Sequence, residues 1–148
     1  MPQNFNLEYT DHHGSKKRPV MLHRLCFGSV ERFIGILIEH YAGKFPVWLV
    51  PTQVKILPVS EKSSDYAHTV AEQIEAAGIR VTVDNRDEKI GYKIREARSI
   101  DRVPYMLILG EKEAAEGNIS VRDRSNETVP STVEDFCAKV KEEIRTRA

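Results

Sequence analysis

The chain has 148 residues, 41% of them hydrophobic and 30% charged, and its 22 basic and 22 acidic residues cancel. This composition predicts a soluble globular protein large enough for one domain or a small domain plus part of another. A neutral chain has no overall field that holds nucleic acid, so RNA binding must come from a local patch. No apolar run approaches the roughly 20 residues that span a bilayer, so we expect a cytoplasmic protein.

The first fifty residues predict two strands and a helix. The strands are expected over residues 5–9 and 19–26, around the polar turn TDHHGSKK. An amphipathic helix follows, with Ser29 as its N-cap and Gly43 after its end. Arg32 lies in its first turn, where the helix dipole disfavours a cation. The segment FPVWLVP, bracketed by prolines, predicts a domain boundary that separates residues 1–50 from residues 51–148.

Strands and helices alternate after residue 51, which predicts parallel strands joined by helices. Strands are expected over residues 54–59, 79–83 and 105–109, with helices starting near residues 64 and 90. The segment EKEAAEGN is expected to be a turn that leads to an antiparallel strand at 119–122, and Thr132 caps a last helix. The predicted fold is α/β, with a mixed, mostly parallel sheet of about five strands flanked by three helices and preceded by the strand–strand–helix segment.

Ligands of open α/β sheets bind beyond the carboxyl ends of the strands, which selects the loops at 85–89 and 110–113. Residues 86–102 carry six cations against four acids, and Lys89 and Lys93 lie one helical turn apart. A lining of mixed charge suits single-stranded RNA bases, whose edges offer donors and acceptors together. Glu113 can accept from guanine, and Arg122 can reach a base edge or a phosphate. The alternative interpretation of residues 86–102 is an ordinary solvated helix with no role in binding.

The cysteines and His23 give weaker evidence for a functional site. Cys26 and Cys137 are far apart within apolar patterns and are expected to be reduced, buried thiols. His23 lies among apolar residues of a predicted strand. By itself it is interpreted as a hydrogen-bonded core or edge histidine, with a metal ligand as the alternative, because a zinc site needs three or four ligands.

Four segments resemble a known family. RPVMLHRLCFGSVERFIGILIEHYAGKFPVWLVP resembles the third signature motif of class II aminoacyl-tRNA synthetases, in the version of the threonyl-tRNA synthetases. NRDEKIGYKIREA, RVPYMLILGEKE and GNISVRDR resemble the anticodon-binding domain of that family in order and spacing. The resemblance implies that residues 1–50 are the end of a class II catalytic core and that residues 51–148 are an anticodon-binding domain.

The resemblance also implies roles for single residues. Arg32 matches the arginine that contacts the phosphate tail of ATP, Ser29 a position in the amino-acid pocket, and His23 one ligand of the catalytic zinc. The positions implied near the anticodon are those of Asp87, Lys89, Glu113 and Arg122. In the resulting hypothesis for anticodon binding, Lys93 joins Lys89 near the backbone phosphates.

The implied function is that of the C-terminal part of a threonine–tRNA ligase, which binds the anticodon of threonine tRNA. The full enzyme is expected to use Mg-ATP and zinc and to form a homodimer, with neither DNA nor a membrane as a partner. Because the other zinc ligands and motifs 1 and 2 are missing, this chain alone is expected to be inactive and to bind no cofactor. The alternatives are a free-standing accessory module that binds RNA or protein, and a binder of small nucleotides.

Overall fold

A computed structural model describes residues 1–147, which form two compact units, Met1–Ile36 and a second that begins at Leu37. The first unit holds a small hairpin in which β1 (Tyr9–Thr10) pairs antiparallel with β2 (Lys16–Lys17). The carboxylate of Asp11 closes the turn by accepting from the N–H groups of His13 and Ser15, at 2.9 and 3.0 Å. Because these hydrogen bonds close the turn directly after β1, the two strands pair only next to the turn.

The predicted bounds of the first two strands, 5–9 and 19–26, are therefore wrong. Pairing needs a second strand at hydrogen-bonding distance, and within the described residues the segment 19–26 has none. The side chains of Val20, Leu22 and Leu25 are exposed. Cys26 is exposed as well, contrary to expectation, whereas Cys137 is buried as predicted.

Helix α1 (Val30–His40) begins where the sequence predicts. The hydroxyl of Ser29 accepts from the backbone N–H of Arg32 at 3.3 Å, which is the expected N-cap bond. Gly43 follows the end with φ of +72° and donates its N–H to the carbonyl of Ile38 at 2.9 Å. A glycine adopts this left-handed conformation without strain, so it ends the helix as predicted.

The second unit contains the predicted mixed sheet, with the strand order β4-β3-β5-β6-β7. Its three parallel strands are β3 (Val54–Pro58), β4 (Val81–Val83) and β5 (Tyr105–Leu109). Two antiparallel strands follow, β6 (Ile119–Arg122) and β7 (Thr128–Ser131). Strand β7 was not among the predicted elements, and it contains Pro130. An edge strand tolerates proline because one side of its backbone needs no sheet partner.

The helices of this unit are α2 (Ser64–Ala76), α3 (Ile90–Ser99), α4 (Glu111–Glu116) and α5 (Val133–Thr146). Helix α4 corrects the turn predicted for EKEAAEGN. It begins because the carboxylate of Glu113 accepts from the N–H of Gly110 at 2.9 Å, and it ends at Gly117 with φ of +69°. Within residues 1–147, no helix is long and apolar enough to cross a membrane.

Two apolar clusters lie on opposite faces of the sheet. Ile56 and Leu107 belong to the larger cluster, which is completed by buried side chains of α2 and α5. The smaller cluster joins Leu57 and Met106 to Ala97 of α3. On this second face, Ser120 and Arg122 of β6 stay partly exposed. We call this region, with Glu113 of α4 and Asn126 and Arg98 around it, the open face.

The segment before β3 is part of the second unit. Val47 and Val50 are buried, and the side chain of Gln53, 1% exposed, joins this segment to the start of β4. Its Nε2 donates to the carbonyl of Val47 at 2.8 Å, and its Oε1 accepts from the N–H of Arg80 at 2.8 Å. The guanidinium of Arg80 donates in turn to the carbonyl of Val50.

We predict that Gln53→Met destabilises the protein by about 2 to 4 kcal/mol, because it keeps the buried volume but leaves two backbone groups without partners. Chemical denaturation measures this change in the free energy of unfolding. Gln73→Met, on the exposed side of α2, is the control and should change it by less than about 0.5 kcal/mol. Equal effects of the two substitutions would contradict the structural role of Gln53.

Candidate functional site

A buried lysine joins the carboxyl ends of β3 and β4. Lys93 is 4% exposed, and its Nζ donates to the carbonyl of Asp84 at 3.0 Å and to that of Pro58 at 3.5 Å. Beside it lies a cleft of about 290 Å³. Its lining consists of residues from the two strand ends and from the start of α3: Pro58, Val59, Ser60, Glu61, Ser64, Asn85, Arg86, Asp87, Glu88 and Lys93. The cleft therefore lies where the sheet topology predicts a ligand.

The carboxylate of Asp84 organises the loop after β4. It accepts from Nε and Nη2 of Arg86 at 2.9 and 2.6 Å, and Lys55 lies 3.8 Å away. The hydrogen bond from Arg86 is the main reason why the pKa of Asp84 falls to about 2 from its usual 3.8. Arg86 also pairs with Glu96 of α3, and both acids raise the pKa of its guanidinium. This network fixes the loop against the helix.

The other predicted residues of this region lie around the cleft. Asp87 lines it and is exposed, and exposed Lys89 precedes the first residue of α3 in an extended conformation. No carboxylate of the described chain lies within 4.0 Å of the Lys89 ammonium. His68, which was not among the predicted site residues, lies beside this loop, with its Nε2 2.9 Å from Nδ2 of Asn85. Only its helical register, one turn after Ser64, could have indicated this position.

Glu113 reaches the open face through its hydrogen bonds. Its Oε1 accepts from the hydroxyl of Ser120 at 2.9 Å, and its Oε2 accepts from the N–H of Gly110. Burial raises the pKa of this carboxyl, but the hydrogen bonds from its own N–H, Ser120 and Gly110 outweigh it and leave the pKa lowered. Glu113 is therefore an ionised acceptor at neutral pH.

Arg122 is held on the same face by an amide. Its Nε and Nη2 donate to Oδ1 of Asn126 at 2.9 and 2.6 Å, and Nη1 of Arg98 donates to the same oxygen at 3.3 Å. Asn126 has a φ of +76°, a conformation that asparagine adopts more easily than most residues. Ser120, Asn126 and Arg98 were not among the predicted site residues. The period of two along β6 could have indicated Ser120, but no pattern connects the other two with Arg122.

The structure thus brings the predicted anticodon residues into two groups of the second unit. Glu113 and Arg122 lie on the open face, linked by Ser120 two residues before Arg122 on the same face of β6. Asp87 and Lys93 lie at the cleft, with Lys89 beside Glu88 of its lining.

The remaining predicted residues lie in the first unit. Ser29 is half-buried and caps α1, while Arg32 and His23 are exposed. Among residues 1–147, no group of three His, Cys, Asp or Glu side chains is arranged to hold a metal ion. The residues present therefore do not fit a complete zinc site around His23.

The chain is similar to known proteins over nearly its whole length. The sequence model of the anticodon binding domain family matches residues 53–143. The chain is 57% identical over 148 residues to a threonine–tRNA ligase of Clostridioides difficile (strain 630), and 52% identical over 149 residues to one of Caldanaerobacter subterraneus subsp. tengcongensis. These alignments cover 99% and 100% of this chain, which spans only 23% of the length of each relative.

A solved structure is also similar. The RNA-binding domain of threonyl-tRNA synthetase from Cryptosporidium parvum Iowa II superposes with a TM-score of 0.74 at 36% identity, covering 95% of this chain and 36% of that one.

We predict that stability depends on pH through Asp84. Its pKa lies below the ordinary value, so its contribution is complete above about pH 4 and is lost as the pH falls towards 2. Asp84→Asn should lower the free energy of unfolding by about 2 kcal/mol at pH 7. Urea denaturation from pH 7 to 2.5 should show this difference from the wild type shrinking with acidification. Glu72→Gln, which removes an exposed acid, is the control. If the difference in the free energy of unfolding between Asp84→Asn and the wild type does not change with pH, the ionisation of Asp84 does not contribute to stability.

Proposed function

Because the chain belongs to the anticodon-binding domain family, we propose that the second unit binds the unpaired anticodon bases of a tRNA. The observation that carries this proposal is the placement of Glu113 and Arg122, an acceptor and a donor, on one open face of the sheet. Base edges of unstacked RNA present donors and acceptors together, so such a pair can read them by hydrogen bonds.

The hydrogen-bonding capacity of the two side chains supports base reading. Arg122 uses Nε and one N–H of Nη2 for Asn126, so Nη1 and the second N–H of Nη2 remain to donate. The carboxylate of Glu113 accepts from Ser120, from Gly110 and from its own N–H, which leaves one of its roughly four lone pairs for a donor such as the imino or amino group of guanine. Because internal partners hold both side chains, little conformational entropy is lost when a base binds.

The cleft is suited to a base more than to a phosphate. Three acids, Glu61, Asp87 and Glu88, line it together with Arg86 and Lys93, so an anion there would meet three carboxylates as well as two cations. We propose that Lys89, exposed beside the cleft, contacts a backbone phosphate. Lys93 is buried, and its role in this proposal is to hold the strand ends that form the cleft wall.

We propose further that the longer protein is a threonine–tRNA ligase, which uses ATP to attach threonine to threonine tRNA. The identities of 57% and 52% to two such ligases support this assignment. In that protein, which we propose to be a cytoplasmic homodimer, Arg32 would contact the phosphates of Mg-ATP and Ser29 would line the amino-acid pocket. His23 would be one zinc ligand among others contributed from outside this chain.

Arg122→Gln should weaken binding of the anticodon stem-loop of threonine tRNA by about 1 to 3 kcal/mol for each base that Arg122 no longer reads. Titrations with this stem-loop and with one of altered anticodon measure affinity and base discrimination, and both should fall. Arg145→Gln, which removes an exposed arginine paired with Glu142 on α5, is the matched control and should change neither.

Two results would count against this reading. Unchanged affinity and discrimination of Arg122→Gln would remove Arg122 from the site. Tight binding of ATP by the wild type, without binding of the stem-loop, would support a binder of small nucleotides instead.

The chain of 148 residues alone should show no threonine-dependent pyrophosphate exchange. The reason is that its described residues contain no cluster of metal ligands around His23, and Arg32 lies exposed in the first unit. Isotope exchange between pyrophosphate and ATP measures this, with an intact threonine–tRNA ligase as the positive control. Robust exchange by the isolated chain would overturn the proposal that activation needs residues outside it.

A further inference from the structure

A strongly basic cavity of about 390 Å³ lies beside the open face. Its floor contains the apolar side chains of Val103 and Met106. The rest of its lining consists of four cations and two small residues: Lys44, Arg98, Arg102, Arg124, Ala42 and Ser99. Among residues 1–147, no acid lines this basic cavity, which distinguishes it from the cleft at the strand ends.

The charge of the four cations is not neutralised. Within the described chain, no carboxylate oxygen lies within 4.0 Å of the side-chain nitrogens of Lys44, Arg98, Arg102 or Arg124. By contrast, Lys55 and Arg86 of the same unit are paired with acids, with Asp101 and with Asp84 and Glu96 respectively. A concentration of unpaired cations in a chain without net charge points to an anionic ligand.

Neutral acceptors fix the positions of these side chains. Arg124 donates from Nη2 to the carbonyl of Arg102 at 2.8 Å and from Nη1 to that of Lys44 at 3.3 Å. Arg102 donates to the carbonyl of Ala42. Desolvation lowers the pKa of Arg124, as expected for a cation held without a counter-ion. Backbone carbonyls thus orient the guanidinium groups without removing their charge.

The basic cavity adjoins the proposed base-reading surface through Arg98. This side chain lines the cavity and also donates to Asn126, the amide that holds Arg122. The basic cavity is thus within reach of the sugar–phosphate backbone of an RNA strand whose bases lie on the open face.

We propose that the basic cavity binds a backbone phosphate of the RNA strand whose bases are read on the open face. This inference rests on the proposed function, because it needs the strand to lie there. Lys44 and Arg102 contribute to affinity and to its dependence on salt, while Arg122 and Glu113 contribute to the choice of base.

Lys44→Gln and Arg102→Gln test the proposal, with Lys141→Gln as the matched control, since exposed Lys141 on α5 has no carboxylate within 4.0 Å in the described chain. Binding of the anticodon stem-loop is measured between about 50 and 200 mM salt for the full chain. Each cavity variant should reduce the slope of log affinity against log salt by roughly 0.7 to 0.9 and leave the discrimination between anticodons unchanged. Lys141→Gln should leave both unchanged, and thermal unfolding checks that Arg102→Gln is folded.

Inorganic phosphate provides a second probe, because a free anion and an RNA phosphate present the same chemistry. Its binding is followed by NMR chemical shifts of the wild type and of Lys44→Gln, and phosphate should compete with the stem-loop. If phosphate binds in the basic cavity but neither cavity variant changes the salt slope, the site takes free anions and the assignment to RNA is wrong. If the wild type does not bind stem-loops or does not discriminate between anticodons, the proposed function itself fails. If discrimination is normal but both cavity variants have the same salt slope as Lys141→Gln, only the role of the basic cavity is refuted.

Discussion

The arrangement of the second unit depends on the buried ammonium group of Lys93. A charge that is 4% exposed must find hydrogen-bond partners, and the carbonyls of Asp84 and Pro58 provide them at the ends of two neighbouring parallel strands. Because Lys93 belongs to α3, the same bonds fix this helix against the sheet. The pair of Arg86 with Glu96 makes a second connection between the loop after β4 and α3, so the loop at the cleft is held from both sides.

The position of α3 determines which part of the sheet is left for a ligand. The helix packs its apolar side over Leu57 and Met106, the residues of β3 and β5 that point to its face. The antiparallel strands beyond β5 present different side chains on that face: Ser120 and Arg122 of β6 point there, and Pro130 and Thr128 of β7 lie opposite them. Strand β6 is paired on both sides, so its polar side chains are held in register while their ends stay accessible.

Much of the fold could be predicted from periodicity, and less of the site. The apolar strand at 105–109 and the helix capped by Thr132 both follow from local patterns, and the structure confirms them. The hairpin near Asp11 was placed wrongly because a side-chain hydrogen bond, and not hydrophobic alternation, determines where the chain turns. Asn126 lies outside any periodic pattern, and its contact with Arg122 depends on a turn with positive φ that the sequence does not specify.

The contrast between Arg86 and Arg122 shows how the same side chain serves two purposes. Arg86 is bound by two carboxylates, so its charge holds the loop to the helix and contributes little to the field outside. Arg122 is bound by the amide of Asn126, and Arg124 by backbone carbonyls, so both keep their full charge after they have been oriented. A protein without net charge can thus present a localised positive surface: it pairs Arg86 with acids and holds Arg122 and Arg124 with uncharged acceptors. Proximity in sequence does not show whether an arginine is paired with an acid. Arg122 and Arg124 lie on either side of Asp123, but the carboxylate of Asp123 accepts from Ser125 instead.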